Sequence, residues 1–393
     1  FYIEWQGGRL QRYDKKAGES IDIQPVPAPD DPPERWNWDS PIIISPHDGH
    51  RLNFASQRLW RSDDQGNSWT AVSRDLTRDR NRYELELMDR VWSVDALYDN
   101  GAMSLYGTIT TVSESPLVEG LLYVGTDDGL IQVSEDGGGS WRKVDSLPGV
   151  PDLSFVNDIR ASLHDADTVF AAVDAHKTGD LRPHLFESTD RGGTWRSITG
   201  DLPDETIVWA IVQDHVVPDL LFIGTEFGIH FTPDRGKRWV ELSGGVPTIS
   251  FRDLEIQQRE DDLVGATFGR GFYVLDDYSA LREIAGGALE RDTALFPVRD
   301  SWWFVPYQPN QARGKPALGS DDYAAANPPL GAIVTYYLAD TPRTAEAERH
   351  ETEKALRDSG DDVPFPGWEQ LRQESLEDGP KVVLTVRDGE GAA

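Results

Sequence analysis

Three carboxylates are the residues of this sequence best placed to do chemistry. Asp127 lies in a Gly-Thr-Asp-Asp-Gly turn, Glu226 lies in the matching Gly-Thr-Glu-Phe-Gly turn, and Asp95 lies in a long segment between regular elements. Two carboxylates that flank a glycosidic bond can hydrolyse it, one as general acid and the other as nucleophile or base. The chain has 68 acidic residues, so carboxylates at these positions are weak evidence for catalysis, and the three residues are candidates only.

A second set of residues could bind a ligand without any reaction. Aromatic, arginine and carboxylate side chains mix in the segment from Arg74 to Gly107 and in the glycine-bearing turns, and such a mixture suits a sugar or a peptide. The members of this set are Arg80, Arg90, Trp92, Tyr106, Asp128, Phe227 and Arg270. A packed lid with solvated charges explains the long segment equally well.

Several kinds of site are excluded by the residue types. The chain has no Cys, which removes disulfides, thiolate metal sites and cysteine nucleophiles. No G-x-S-x-G motif occurs, and the eight His residues show no H-E-x-x-H spacing. No calcium loop with the required Gly and Glu positions exists. We therefore expect neither a metal nor a cofactor.

The charge balance is extreme, with 38 basic residues against 68 acidic ones and a net charge of −30. Such a surface argues against binding to nucleic-acid phosphates. No run of 18 apolar residues occurs, so we expect no membrane insertion in this chain.

Only 8 residues are Lys while 44 are Asp, which favours a protein that works in high salt, where screening removes the self-repulsion. The rival explanation is a protein that binds cations or bases.

The elements that must position these residues are indicated by a repeat. Four octets follow the pattern Ser/Thr-x-Asp-x-Gly-x-x-Trp. They contain Ser62, Asp64, Gly66 and Trp69; Ser134, Asp136, Gly138 and Trp141; Ser188, Asp190, Gly192 and Trp195; and Thr232, Asp234, Gly236 and Trp239. The Asp accepts hydrogen bonds from its own turn, the Gly supplies a positive φ, and the Trp begins the next strand. The octets therefore predict structural hairpin turns.

Strand-like segments surround each octet, so that each unit reads as four antiparallel strands, a to d, with the octet between c and d. Radially repeated four-stranded sheets make a β-propeller, which the even spacing of the octets favours over a β-sandwich. Full blades are predicted over 41–73, 108–146, 155–199 and 207–243, a partial blade over 251–278, and two strands of another blade in the opening segment 1–14. We expect further blades before Phe1.

Strand direction decides which face of the disc carries the candidate residues. If the octets join strands c and d, they lie on one face, and the b–c turns and d–a connections lie on the opposite face. The turns of Asp127, Glu226 and Arg270 are b–c turns, and the segment from Arg74 to Gly107 is a d–a connection. We therefore expect the functional site on the b–c face.

A second domain is predicted after the octets stop. The propeller domain covers 1–290, and 291–393 reads as the start of a β-sandwich-like domain. Within it, 331–340 and 381–391 have strand patterns, and a helical excursion at about 342–379 has helices at 344–360 and 367–378. The fold class is all-β, with an incomplete ring of blades followed by this partial domain.

Over about residues 1–290 the chain resembles the large sortilin-like BNR/Asp-box propeller proteins of bacteria, a family often labelled glycosyl hydrolases. The resemblance lies in RWNWDSPIIISPHD (35–48), SWTAVSRDLT (68–77), YGTITTVSESP (106–116), the GTDDG and GTEFG turns, and GATFGRGFYVLDD (265–277). It implies a propeller related to sortilin receptors and, more distantly, to sialidases and xyloglucan-cleaving propeller enzymes. It also implies a secreted or periplasmic location.

Three functions follow from these observations. The first is a sortilin-like propeller that binds a peptide or glycan ligand on the b–c face, with no chemistry of its own. The alternative is a glycoside hydrolase, sialidase- or xyloglucanase-like, that uses carboxylates at the mouth of the propeller. The third is an assembly scaffold. The sequence does not fix the oligomeric state or the identity of the ligand.

Overall fold

The computed structural model describes residues 1–87, 89–93, 95, 105–305 and 329–388. The chain divides into two compact units, Phe1–Gly286 and Gly287–Ala393. The first unit contains the repeats and the candidate site. The second begins close to the boundary that the sequence suggests at residue 290.

The first unit is a β-propeller of six blades. Blade 1 contains β1 (Tyr2–Trp5), β2 (Arg9–Asp14) and β3 (Glu19–Asp22); blade 2 contains β4 (Ile42–Ile44), β5 (Leu52–Ala55), β6 (Leu59–Ser62) and β7 (Thr70–Ala71). A two-stranded hairpin, β8 (Glu86–Leu87) and β9 (Arg90–Val91), follows. Blade 3 contains β10 (Ile109–Glu114), β11 (Leu122–Thr126), β12 (Ile131–Ser134) and β13 (Arg142–Val144).

The remaining blades continue in the same order. Blade 4 contains β14 (Phe155–Ala161), β15 (Val169–Ala175), β16 (Asp180–Ser188) and β17 (Arg196–Ser197); blade 5 contains β18 (Val208–Gln213), β19 (Leu221–Thr225), β20 (Gly228–Thr232) and β21 (Val240–Glu241); blade 6 contains β22 (Phe251–Gln257), β23 (Asp262–Thr267) and β24 (Phe272–Leu275). Neighbouring strands within each blade are antiparallel. The predicted propeller is therefore confirmed.

The ring of blades is not closed. In the described part of the chain, no strand pairing joins blade 6 to blade 1, and both have three strands. In blade 5, Trp239 Nε1 donates to Ile198 O, which follows strand d of the preceding blade. In blade 2, Trp69 Nε1 donates in the same way to Ile23 O, which follows β3. Strand β3 is therefore a strand d, and blade 1 consists of strands b, c and d. The opening segment thus forms three strands, one more than the sequence predicts.

The octets form the c–d turns, as predicted, and they share one hydrogen-bond pattern. In blade 4, Gly192 N donates to Ser188 Oγ at 2.7 Å, and Ser188 Oγ donates to Asp190 Oδ1 at 2.8 Å. Asp190 Oδ1 also accepts from Thr194 N at 2.7 Å. The other three octets repeat these contacts within a few tenths of an ångström. Local side-chain bonds therefore set each turn.

The octet glycines also bring successive blades together. A Cβ on Gly236 would lie 2.5 Å from Ile198 O of blade 4, and one on Gly138 would lie 2.7 Å from Val72 O of blade 2. Apolar clusters fill the space between blades; for example, Phe170 and Leu185 of blade 4 pack with Ile211 of blade 5. Close glycine contacts and these apolar layers hold the innermost strands at fixed places around the axis.

Strand a of blades 3 to 6 carries a β-bulge near its first residue. The register shifts between Ile109 and Thr111, between Val156 and Asp158, between Val208 and Ala210, and between Phe251 and Asp253. A bulge adds one residue to a strand and redirects its side chain. The four bulge residues are Thr110, Asn157, Trp209 and Arg252.

In its described residues, 287–305 and 329–388, the second unit contains a short sheet and two α-helices. Strands β25 (Thr293–Leu295) and β26 (Tyr336–Leu338) pair, and helices α2 (Ala345–Ser359) and α3 (Trp368–Leu376) match the predicted helical excursion; the short helix α1 (Arg282–Ala285) belongs to the first unit. The strand predicted over 381–391 is absent from its described part, 381–388. The β-sandwich therefore stays a prediction.

Candidate functional site

A cavity of about 770 Å³ lies where the innermost strands of the propeller converge. Its walls come from strand a of blades 2 to 6, from the b–c turns of blades 4 and 6, and from Glu4 at the end of β1. We call this space the axial cavity. Its volume is within the range of ligand pockets, about 300–1,000 Å³.

The four bulge residues all face the axial cavity or its wall. Asn157 Nδ2 donates to Val208 O of the next blade at 2.8 Å, and Thr110 Oγ1 donates to Val156 O of its next blade at 2.6 Å. Trp209 and Arg252 line the cavity directly. The bulges interrupt the regular alternation of side chains between the two faces of each strand, and the polar and aromatic side chains of the bulge residues line the cavity.

Trp209 and Arg252 meet at the end of the cavity that carries the b–c turns. The Arg252 guanidinium carbon lies 3.6 Å from the centre of the Trp209 ring and 5.4 Å from the centre of the Phe268 ring. Together with Asp174 and His176, these three residues form what we call the mouth cluster. A guanidinium over an aromatic face is a favourable and orienting contact.

The charge of Arg252 is only partly balanced. No carboxylate in the described chain forms an ion pair with it, although Glu226, Asp174 and Asp39 act on it at longer range. Burial lowers the pKa of Arg252 from its usual value, and those three negative charges act in the opposite direction. Arg252 lines the cavity, and its guanidinium donors have no hydrogen-bond acceptor among the described residues, so they are available to a ligand.

The second part of the mouth cluster is a carboxylate–imidazole pair. Asp174 is buried in strand b of blade 4, accepts a hydrogen bond from His176 N at 3.1 Å, and also contacts His176 Nδ1. The imidazole meets the Trp209 ring edge-on, with 5.6 Å between centroids. No hydrogen bond to His176 Nε2 occurs among the described residues. His176 lines the cavity, so this nitrogen can accept a hydrogen bond from a ligand.

Deeper in the cavity, three carboxylates converge on one arginine. Arg160 of blade 4 contacts Asp158 of its own strand at 3.2 Å and reaches past blade 5 to Glu255 at 2.7 Å and Asp253 at 3.3 Å in blade 6. Desolvation by the cavity walls raises the pKa of Asp253 to about 6, although Arg160 opposes the shift. The ion pairs of this inner cluster connect blade 4 to blade 6 across the cavity, with the side chains of Asp253 and Glu255 59% and 63% exposed.

Asp127 and Asp128, two of the predicted site residues, make contacts within the protein. Asp127 is buried and accepts from Gly107 N at 3.0 Å, Thr108 N at 2.8 Å and Thr108 Oγ1 at 2.8 Å; burial raises its pKa to about 7. Asp128 accepts from Arg78 N at 2.7 Å, and burial raises its pKa as well. Both carboxylates thus anchor the ends of the 74–107 segment.

Glu226 and Phe227 lie beside the mouth cluster. Glu226 Oε2 accepts from Trp209 Nε1 at 2.9 Å, so it orients the indole that carries Arg252. Phe227 is exposed on the same turn. Glu226 is thus the one predicted catalytic candidate that contacts a cavity residue, although it does not itself line the cavity.

The other predicted residues do not line the axial cavity. Their side chains are exposed or half-buried on the 74–107 segment and on the blade 6 turn; they are Arg80, Arg90, Trp92, Asp95, Tyr106 and Arg270. Burial raises the pKa of Tyr106, with the charges of Asp128 and Asp127 in the same direction. The structure therefore does not bring Asp95, Asp127 and Glu226 together.

Sequence reasoning missed the mouth cluster except for its neighbour Glu226. The available signal was the start of each strand a, in the segments ITTV, VNDI, VWAI and FRDL. The second residue of these segments is Thr110, Asn157, Trp209 or Arg252, four unlike side chains after an apolar first residue. The innermost strand of each blade must face the axis, so these variable second residues are candidates for a cavity lining.

Metal-ion sites and membrane-spanning helices are both absent from the part of the chain that the structure describes. Within residues 1–87, 89–93, 95, 105–305 and 329–388, no group of three or more His, Asp or Glu side chains is arranged to hold a metal ion. No helix in the same ranges is long and apolar enough to cross a membrane.

Solved structures with a similar arrangement are propeller proteins. An ancestral GH74 enzyme is 16% identical with a TM-score of 0.43, over 60% of this chain and 28% of that one. The GH74 xyloglucanase from Xanthomonas campestris is 21% identical with a TM-score of 0.43, over 59% and 36%. The extracellular domain of a putative one-component system from B. thetaiotaomicron is 12% identical with a TM-score of 0.44, over 70% and 31%.

These likenesses are too distant to indicate an activity. The chain spans about a third of the length of each of these three structures. No family model and no curated protein matches the chain. The geometry of the axial cavity is therefore the main indication of function.

Proposed function

We propose that this propeller binds a peptide or glycan ligand at the mouth of the axial cavity, in the manner of sortilin-like receptors. The observation that carries the proposal is Arg252, held between Trp209 and Phe268 with no ion-pair partner in the described chain. An arginine fixed in this way presents its donors in one orientation, which suits a carboxylate or a pair of sugar hydroxyls.

The surroundings of Arg252 support binding. Phe268 is 71% exposed at the rim, and Lys177 Nζ lies 4.9 Å from the centre of the Phe155 ring on the blade 4 side. Concave sites with aromatic walls and a few fixed polar groups are typical of small-ligand recognition. The proposed site is on the b–c face that the sequence predicts, but we propose it at the axis instead of on the 74–107 segment.

The glycoside hydrolase alternative has weaker support. Asp127 is engaged by three donors of the 74–107 segment and the strand that follows it, and Glu226 is engaged by Trp209. The inner carboxylates Asp253 and Glu255 are paired with Arg160. Retaining or inverting hydrolysis needs two carboxylates with a glycosidic bond between them, and these contacts occupy the candidates.

We also propose, from the resemblance alone, that the protein acts outside the cytoplasm.

The test is a binding screen against immobilised probes. The probes are neutral oligosaccharides, uronate oligosaccharides and peptides with free termini, in about 1 M KCl to screen the net charge. For any probe that binds, Arg252→Lys is expected to weaken binding by about 10- to 100-fold, since a hydrogen bond to a charged group contributes about 1.5–3 kcal/mol. Lysine keeps the charge but loses the planar fork.

The matched control is Arg238→Lys. Arg238 is an exposed arginine on the octet turn of blade 5, on the opposite face, and its substitution is expected to leave binding unchanged. Equal affinity of the parent protein and Arg252→Lys for every bound probe would place the ligand elsewhere and overturn the proposal.

A further inference from the structure

The mouth cluster contains more than binding requires. Asp174 is buried and positions His176, which lines the cavity and whose Nε2 has no hydrogen-bond partner among the described residues. Arg252 lies on the face of the same Trp209 ring that His176 meets edge-on. A positioned imidazole is a general base near neutral pH, and an arginine on the same platform can stabilise a developing negative charge. Base and cation therefore share one open space.

We propose that the mouth cluster catalyses β-elimination in uronate-containing glycans, with His176 as the base and Arg252 as the group that neutralises the substrate carboxylate. The inference rests on the proposed binding of a glycan at this site and adds a reaction to it. A proton next to a carboxylate becomes removable when a cation offsets the charge that builds on the carboxylate during its removal.

The reaction balances without any further reagent. His176 Nε2 takes the proton from carbon 5 of the uronate, and the electron pair of that C–H bond forms the double bond between carbons 4 and 5. The bond between carbon 4 and the glycosidic oxygen breaks, and its electrons leave with the oxygen. The protonated imidazole returns the proton to that oxygen, so that one product has an unsaturated uronate end and the other has a new reducing end.

Other reactions of a histidine fit the site less well. In the described chain no hydroxyl group forms a hydrogen bond with His176, so the acyl-transfer route of a Ser–His pair lacks its nucleophile. Hydrolysis through two carboxylates would not use the histidine at all. A free cation beside a positioned base is the arrangement that proton abstraction next to a carboxylate needs.

The experiment uses the purified chain in about 1 M KCl, where the Debye length is about 3 Å and a polyanion can approach a protein of net charge −30. The probes are polygalacturonate, alginate and a glucuronan, with xyloglucan as the neutral comparison. Two products are measured together: the ultraviolet absorbance of the unsaturated uronate and the number of new reducing ends. Elimination yields the two in equal amounts from a uronate polymer and neither from xyloglucan.

Two pairs of variants identify the residues. His176→Gln is expected to lower the initial rate by at least about 100-fold, as loss of a general base does. Its control is His50→Gln, since His50 is also paired with an aspartate two residues earlier, Asp48, but lies on an exposed turn away from the cavity. Arg252→Lys is expected to lower the rate by about 100-fold, while Arg238→Lys leaves it within about twofold. Circular dichroism establishes that each variant is folded.

The outcomes separate this inference from the proposed function. A uronate polymer that binds, with loss of binding in Arg252→Lys, but gives no unsaturated product overturns the elimination and leaves the binding function standing. Reducing ends without unsaturated product indicate hydrolysis and overturn it too. Absence of both binding and product from every uronate probe counts against the inference, and a peptide or neutral glycan that binds would then carry the proposed function alone.

Discussion

At the scale of the residue, the octet aspartates work as anions. Asp190 accepts from Thr194 N at 2.7 Å, from Ser188 Oγ at 2.8 Å and from Thr194 Oγ1 at 2.8 Å. These bonds, the first of them most strongly, lower the pKa of Asp190 to about 2, and the pKa values of Asp64, Asp136 and Asp234 are lowered as well. Each turn therefore stabilises the fold more when its carboxyl group is ionised than when it is protonated.

Replacement of Asp190 by asparagine tests this role. The folded pKa lies below the value of 3.8 expected for the unfolded chain, so the contribution of Asp190 is complete above about pH 4 and is lost as the pH falls toward 2. Asp190→Asn is expected to have a lower melting temperature than the parent protein at pH 7, and the difference is expected to shrink between pH 4 and pH 2. A difference that stays constant over this range in thermal unfolding would contradict the assignment.

At the scale of the element, the packing of one blade on the next depends on the octet glycines. Gly236 has a φ of +83°, and a Cβ at this position would lie 2.5 Å from Ile198 O and 2.7 Å from Ile198 Cβ. Both distances are well below van der Waals contact, so any side chain here would push blade 5 away from blade 4. The turn thus meets two separate requirements, a left-handed backbone and an absent side chain.

A pair of glycine variants separates these two requirements. Gly149 has a φ of +74° and open space where a Cβ would lie, so Gly149→Ala is expected to cost only the left-handed backbone, about 1–2 kcal/mol. Gly236→Ala adds the steric conflict with Ile198 O and is expected to cost at least about 1 kcal/mol more. Urea unfolding measures both; equal losses would show that the blades can separate at no cost.

The elements were largely predictable and the site was not. The octets specify their turns through bonds within eight residues, and period-2 alternation located the strands of blades 2 to 6. The mouth cluster depends on bulges that alternation does not reveal, such as the one at Trp209. The inner cluster depends on curvature that brings Arg160 to Glu255, 95 residues later in the chain. The turn that contains Asp127 suggested a catalytic residue. Its carboxylate is buried because it accepts hydrogen bonds from Gly107 and Thr108 at the end of the 74–107 segment, a contact that the sequence does not reveal.

At the scale of the whole molecule, charge opposes the compact state. A net charge of −30 on 393 residues repels itself, and ion pairs such as that of Arg282 with Asp214 at 2.8 Å offset only part of the repulsion. The open ring adds to this cost, because no strand pairing between blades 6 and 1 closes it in the described chain. Screening by salt should therefore stabilise the propeller.

The stability of the protein is expected to rise with salt concentration. Between about 0.05 and 1 M KCl the Debye length falls to about 3 Å, which removes most repulsion between surface carboxylates. We expect the melting temperature to rise by several degrees, then level off near 1 M. NaCl and KCl at equal ionic strength should act alike. A melting temperature that falls with KCl, or that responds to the ion type alone, would argue against the high-salt interpretation.

The bulges of strand a have a consequence for how such a propeller can change. Thr110, Asn157, Trp209 and Arg252 belong to none of the five hydrophobic clusters found in the described residues. Their side chains can therefore be exchanged while the apolar layers between blades are kept. A library randomised at these four positions would diversify the ligand preference of the cavity on an inherited scaffold. In evolution or in the laboratory, substitutions at these positions can change specificity without a new fold.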